Sequence, residues 1–361
     1  MPDMDQMNLK TLFEEFKPVK NVNLIVRCQM KDRFHITAAR KILLLLVCIL
    51  GIIGAGSADS DGDHGGDDSR AIYSNLFNDR PFFSHIHGAG FSVDGGAITV
   101  AAHDGLWFYE DGNWSHRDLP AHDYMGFALV EDGFYASGHP DQTTELQNPL
   151  GLVKVTEDGK RVSPIRFTGT LDFHAVAAGL STQSIYVYNE EGIRGFRRGL
   201  HFSGDRGVTW RPATGYPGRK EPLSMAAHPT HAGTAAALIS DDVYLSEDYG
   251  RNFSRIEIGV RPLSVYFHPD GKRLLVGGTI LQSYDLENGS TTILPSPKLI
   301  DDLMSHVAVN CTNFNQMVIV TEKRIIYASD DKGESWSDII TVEDDHADIE
   351  GAEEAPCECG S

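Results

Sequence analysis

Three short stretches, "SGDRGVTW" (203–210), "SEDYGRNF" (246–253) and "SDDKGESW" (329–336), share one pattern, Ser-x-Asp-x-Gly-x-x-aromatic. Each residue type has a physical role in a tight turn. The Asp carboxylate accepts backbone N–H groups, the Gly takes a positive φ, and the aromatic ring fills the space between hairpin and sheet. One copy alone is weak evidence. Three copies, each closing a strand-rich unit, mark a repeat.

Working outward from these turns gives units of about forty residues, with short β-rich runs separated by Gly, Asp, Asn and Pro. First strands are expected at "SHIHGAGFS" (84–92), "DYMGFALVE" (123–131), "DFHAVAAGL" (172–180), "LSMAAHPTH" (223–231), "LSVYFHPDG" (263–271) and "MSHVAVNCT" (304–312). Second strands are expected at "AITVAAHDG" (97–105), "GFYASGHPD" (133–141), "SIYVYNEEG" (184–192), "TAAALISDD" (234–242), "KRLLVGGTI" (272–280) and "QMVIVTEKR" (316–324). Repeats of this length with four short strands each predict an all-β chain forming a single β-propeller of six blades. A seventh blade follows if residues 71–83 pair with the C-terminal strand, an exchange that would remove the sheet edges.

The 361 residues are 41% hydrophobic and 23% charged, enough for one large domain. Residues 1–41 read as a leader, with Lys31, Arg33, Arg40 and Lys41 preceding the apolar run "ILLLLVCILGIIGA" at 42–55. That run is short for a membrane span and suits a secretory signal, so residues 42–58 are expected to be a signal core with its cleavage zone, or an uncleaved anchor. The acidic, glycine-rich stretch 59–70 reads as a linker, 71–342 as the propeller and 343–361 as an acidic disordered tail.

The formal charge is −20, and eight Lys/Arg against five Asp/Glu in residues 1–58 leave −23 for residues 59–361. So acidic an exported body repels nucleic acid and anionic lipid, and suits a soluble extracytoplasmic protein. Membrane contact would come only through the anchor. The five cysteines offer no disulfide framework; Cys357 and Cys359 form a "CEC" pair in the tail.

Blade register gives the histidines a meaning that linear spacing does not. In a propeller blade the start of the first strand and the end of the second meet at one axial face. His85 and His87 open the first strand of blade 1, Met125 that of blade 2 and His174 that of blade 3. His103 and His139 close the second strands of blades 1 and 2. These six side chains are predicted to converge on one mouth of the central channel. Imidazole nitrogens with a thioether suit copper first, and a three-histidine set suits zinc. Asp104, Asp123 and Asp172 would fix histidine tautomers or act as acid/base groups. A histidine at a strand end also serves simply to bond a neighbouring carbonyl, and "HP" at His228 and His268 reads as ordinary turn chemistry. Met225 and His306 open strands of later blades and would extend the set.

The three boxes and their period resemble the Asp-box, or bacterial neuraminidase repeat, propeller superfamily, which includes sialidases, sortilin-type receptor domains and photosystem II assembly factors. More narrowly, "HIHGAG", "HDGLW", "YMGF", "SGHP", "NPLGL" and "DFHAVA" resemble exported bacterial propellers labelled glycosyl hydrolases, over about residues 82–210. The resemblance implies a structural role for Asp205, Asp248 and Asp331. Sialidase chemistry is not expected: there is no Arg-Ile-Pro, Arg166 falls at the wrong place in its blade, and Arg194, Arg197 and Arg198 cluster within one blade. The expected function is metal binding at the mouth. A glycosyl hydrolase acting on a carbohydrate through His and Asp at the same mouth, or a scaffold for a protein partner, stand as alternatives.

Overall fold

The computed structural model describes residues 83–340. The expected leader, signal or anchor, acidic linker and tail, with Cys357 and Cys359, lie outside the described residues. So does most of the segment that would supply a seventh blade.

Among the described residues there is no helix, and 24 strands form six separate four-stranded antiparallel sheets. Blade 1 holds β1 (Ile86–Phe91), β2 (Ile98–Ala102), β3 (Gly105–Glu110) and β4 (Asn113–Ser115). Blade 2 holds β5 (Asp123–Val130), β6 (Gly133–His139), β7 (Leu152–Val155) and β8 (Val162–Arg166). Blade 3 holds β9 (Val176–Ala178), β10 (Ile185–Asn189), β11 (Gly199–Ser203) and β12 (Arg211–Pro212). Blade 4 holds β13 (Ser224–Ala227), β14 (Ala235–Ile239), β15 (Asp242–Ser246) and β16 (Ser254–Ile256). Blade 5 holds β17 (Pro262–Phe267), β18 (Arg273–Gly278), β19 (Leu281–Asp285) and β20 (Thr291–Leu294). Blade 6 holds β21 (Met304–Val309), β22 (Met317–Thr321), β23 (Ile326–Ser329) and β24 (Ser337–Ile340). Every expected first and second strand is present, and the protein is a six-bladed propeller.

The second strand of each blade is almost wholly buried, because it is covered by neighbouring blades on both faces. Apolar side chains therefore run along it without alternation. Six apolar clusters result, and each joins two consecutive blades. Leu106 and Phe108 meet Tyr124 and Phe134 between blades 1 and 2, while Val130 and Leu152 meet Phe173 and Val187 between blades 2 and 3. The sixth cluster closes the ring: Phe83, Val100 and Trp114 of the blade-1 side pack on Val318, Val320 and Ile340 of blade 6. Trp114 Nε1 donates to Ile339 O at 3.2 Å, and Asn310 Nδ2 donates to Gly95 O at 3.0 Å. Side-chain packing and these bonds join the last blade to the first, each blade being built from consecutive strands.

The three Ser-x-Asp-x-Gly turns all link the third and fourth strands of their blades, in blades 3, 4 and 6. In each, the Ser hydroxyl donates to the Asp carboxylate and accepts the Gly N–H, at 2.8, 2.9 and 2.9 Å for Gly207, Gly250 and Gly333. The carboxylate also binds both the backbone and side chain of the residue four positions on. The residue before each Gly also has positive φ, at 60°, 64° and 64° for Arg206, Tyr249 and Lys332. Two successive left-handed residues turn the chain, and the Ser–Asp pair holds that turn.

The load falls on the buried serine, since each Asp lies at the surface. Ser246→Ala leaves the Gly250 N–H without its partner, which costs about 1–3 kcal/mol. Urea unfolding is expected to show a lower midpoint with an unchanged slope. An unshifted midpoint would show that the serine does not hold the turn.

Candidate functional site

Strand pairing sets a common frame at one axial end of the ring. Gly126 pairs with Ser137, the Ala175 carbonyl accepts Tyr188 N, and Ser224 pairs with Leu238, so these three residues occupy equivalent positions. Three residues earlier stand Asp123, Asp172 and Glu221. Consecutive blades 2, 3 and 4 thus present a carboxylate at the same place, where blade 1 has His85. At the end of the second strands the equivalent positions are His103, His139 and Glu190.

The first junction lies between blades 1 and 2. His87 comes from β1 and His103 follows β2, while Asp123 opens β5. His103 Nδ1 lies 2.8 Å from Asp123 Oδ2, and His87 Nε2 lies 3.2 Å from Asp123 Oδ1. One ligand atom from each residue falls within 4.8 Å of the other two. Exposure grades outward, from 12% for the Asp123 side chain and 15% for His87 to 65% for His103. The His87–Asp123 approach is close without hydrogen-bond geometry, so His87 Nε2 and Asp123 Oδ1 are both buried and have no hydrogen-bond partner. Buried polar atoms are rarely left in this state. The His85 ring stacks on His87 with centroids 5.8 Å apart, and His103 closes the other side at 6.4 Å.

The second junction lies between blades 2 and 3. Ser137 pins Asp172, donating to its Oδ1 at 3.1 Å and accepting Phe173 N at 2.9 Å. The other oxygen, Oδ2, is hydrogen-bonded to His174 Nε2 at 3.1 Å and lies 3.5 Å from His139 Nε2. Asn148 Oδ1 meets His139 Nδ1 at 2.7 Å. On the blade-4 side, Glu221 Oε1 accepts Ala175 N at 2.9 Å, and its Oε2 lies 3.9 Å from His174 Nδ1. Burial raises the Asp172 carboxyl, but the His174 hydrogen bond and the charges of His174 and His139 outweigh it, leaving Asp172 below its ordinary range. The Asp172 hydrogen bond holds His174 above its ordinary value against burial. Burial holds Glu221 above its ordinary value.

The expected single His/Met cluster is therefore resolved into two His–carboxylate groups at neighbouring blade junctions. His87 and His103 belong to one; His139 and His174 belong to the other. Met125 sits at the β5 bulge between Asp123 and Gly126, at the blade-2 position that His87 holds in blade 1. Asp104 is exposed and accepts Trp107 Nε1 at 3.2 Å, within its own hairpin. His228 and His268 are buried turn residues whose Nδ1 atoms accept backbone N–H groups of Thr230, His231 and Asp270. Sequence reasoning missed Glu221, Ser137 and Asn148. Glu221 was detectable, because "EPL" aligns with "DYM" and "DFH" once the blades are superposed.

Gly138 sets the spacing between the junctions. It has φ +134°, and a Cβ there would fall on the Asp123 carbonyl oxygen. The two strands thus approach closely where Asp123 and His139 lie opposite each other. Beside the mouth, a channel cavity of about 340 Å³ is lined mainly by Ala, Val, Phe and Leu, with His87, His174, Glu221 and His306 among its polar side chains. Burial pushes the His306 imidazole down to about 4, so it stays neutral at physiological pH behind the His87 backbone.

No protein-family model matches the chain, and no curated protein matches it. Among solved structures, it resembles the GH74 enzyme of Niastella koreensis, at 15% identity and TM-score 0.47 over 71% of this chain and 45% of that one. It resembles the GH74 xyloglucanase of Xanthomonas campestris at 15% identity and TM-score 0.45, over 71% and 45%. The chain thus spans less than half the length of either. It also resembles YCF48 from Cyanidioschyzon merolae at 15% identity and TM-score 0.43, over 72% of this chain and 86% of that one.

The Asp172–His174 pair has a defined pH window in metal-free protein. A lowered Asp172 pKa stabilises the fold above the ordinary 3.8 and loses that contribution as pH falls through the folded value. A raised His174 pKa stabilises below the ordinary 6.5 and loses that contribution as pH rises through the folded value. His139, Glu190 and Glu221 face the same groups and shape both limbs. Thermal melts of chelator-treated protein across that range should show both limbs, and Asp172→Asn should flatten them. Superimposable profiles would contradict the coupling.

Proposed function

We propose that this propeller binds a divalent transition metal at the blade 1–2 junction, through His87, His103 and Asp123. The observation that carries this reading is the buried, unpartnered face-off of His87 Nε2 and Asp123 Oδ1, with His103 Nδ1 against the second carboxylate oxygen. A cation among the three atoms would satisfy both orphaned groups and neutralise the buried carboxylate. Two imidazoles and one carboxylate suit copper(II) and zinc, and the general affinity order favours copper. His103 at the lip leaves a side open for exogenous ligand. Asp-box membership and an extracytoplasmic location belong to the same reading, supported by the three Ser–Asp turns, the apolar run at 42–58 and the charge of residues 59–361.

Isothermal titration of chelator-treated, untagged protein with copper(II) or zinc should show a saturable equivalent that His87→Ala/His103→Ala removes. The melting temperature should rise with metal, by an increment equivalent to about 2.7 kcal/mol at a hundredfold excess over Kd. No binding heat and an unchanged melting temperature would overturn the proposal.

A second reading rests on one observation: Asp172 is held ionised while burial favours the protonated form of Glu221, with His174 between them. Carboxyls with divergent pKa values suit acid and base roles in glycoside cleavage. A glycoside panel tests it: turnover lost in Glu221→Gln but kept in His87→Ala/His103→Ala would support hydrolysis. Absence of turnover on every substrate would count against it.

A further inference from the structure

We infer that the axial channel is a separate ligand site, which takes a small amphiphilic amine with its ammonium group on Glu221 and its apolar body along the inner strands. This goes beyond the metal-binding reading and involves no metal ion.

The channel is polar at one end. Its cavity of about 340 Å³ is lined by the first strands of all six blades and has the size of a small-molecule site. His87, His174 and Glu221 stand at the mouth, where those strands begin. Phe91, Leu180, Phe267 and Val309 stand at the far end, where the strands finish. Two hydroxyls in the lining are turned onto neighbouring backbone: Ser224 Oγ accepts Val265 N at 3.1 Å, and Ser264 Oγ donates to Met304 O at 2.7 Å. Small-molecule sites combine an apolar lining with a few polar groups that fix orientation. Here the ionisable groups of the mouth lie at one end, which suits a ligand with one polar head and an apolar tail.

Charge at the mouth selects the sign of that head. Glu221 is the only carboxylate among the described lining residues, and no Lys or Arg is among them. Burial keeps the His306 imidazole, the Tyr266 hydroxyl and the Cys311 thiol in their neutral forms. Asp172, Glu190 and Glu221 act on one imidazole, His174, so negative charge remains in excess even with that ring protonated. An ammonium group would offset the excess, whereas a carboxylate would add to it.

The blade register explains why Glu221 serves this role and its counterparts do not. Asp123 faces His87 and His103, and Asp172 faces His139 and His174. At the blade 3–4 junction the second-strand position is Glu190, so no histidine closes on Glu221 from that side. Glu221 Oε1 accepts Ala175 N at 2.9 Å, which fixes the carboxylate, while Oε2 lies 3.9 Å from His174 Nδ1, beyond hydrogen-bond distance. Glu is one methylene longer than Asp, and of the three equivalent carboxylates only Glu221 lines the cavity. Burial leaves it above its ordinary range, as expected of a carboxylate short of compensating charge.

Isothermal titration of chelator-treated full-length protein near neutral pH, with phenethylamine as the probe, tests this. One saturable equivalent is expected. Phenethyl alcohol and phenylacetate, which share the body, and methylamine, which lacks it, should each bind at least tenfold more weakly. Glu221→Gln keeps an oxygen for Ala175 N and should weaken phenethylamine by about 10–100-fold, removing its advantage over the alcohol. The comparison of the four probes on the wild type needs no variant, so it holds even if Glu221→Gln is unstable. No saturable binding of phenethylamine, equal affinity for the alcohol, or full affinity in Glu221→Gln would overturn the proposal. Binding that appears only after copper(II) or zinc is added would also overturn it, because the amine would then be a ligand of the metal. Failure of the amine on metal-free protein leaves the site of His87, His103 and Asp123 standing, and failure of metal binding leaves the channel site standing.

Discussion

Closure of the ring is the constraint on which the remaining structure depends. A single four-stranded sheet has two apolar faces and cannot bury both alone. Six of them do so by stacking around an axis, and only if the sixth packs on the first. Phe83, Val100 and Trp114 against Val318, Val320 and Ile340 complete that circle, and the Trp114–Ile339 bond ties the outer strands of the two blades. With the circle closed, the innermost strands have one place to go, around a narrow axis. Small residues are needed there: a Cβ on Gly88 would come within 2.6 Å of the Phe127 ring.

The chemistry of the mouth is a product of the same stacking. Each His–carboxylate group spans two blades, with the carboxylate contributed by the blade that follows. Asp123 reaches its histidines because blade 2 is pressed against blade 1 by Leu106, Phe108, Tyr124 and Phe134. A half-buried carboxylate between imidazoles is costly to desolvate unless something compensates it. At Asp172 the compensation comes from His174, His139 and Ser137, and its lowered pKa reflects that. At Asp123 one oxygen has His103, and the other is left facing His87 without a bond.

Much of this was legible in the residue order. Glycine and aspartate at fixed places in "SGDRGVTW", "SEDYGRNF" and "SDDKGESW" announce turns whose conformation few other residues adopt, and the structure shows the Ser–Asp–Gly bonds in all three. His228 and His268 were readable as turn residues from the proline after each. The division of the mouth into two groups was less accessible. His139 depends on Asn148, nine residues away across an irregular loop, and His174 depends on Glu221, forty-seven residues away in another blade. Side-chain partners at such distances leave no periodic trace.

Sequence alone determined the repeat, the strand order within it and a count of six blades with a seventh left open, because these follow from turn chemistry and a repeat period, both local properties of the chain. Tertiary structure decided which carboxylate each histidine meets, which atoms are left unpartnered, and that four of the six expected side chains divide between two groups. Those outcomes are set by the stacking of neighbouring sheets, where shifts of an ångström separate a hydrogen bond from an orphaned pair, and no local property of the chain encodes them.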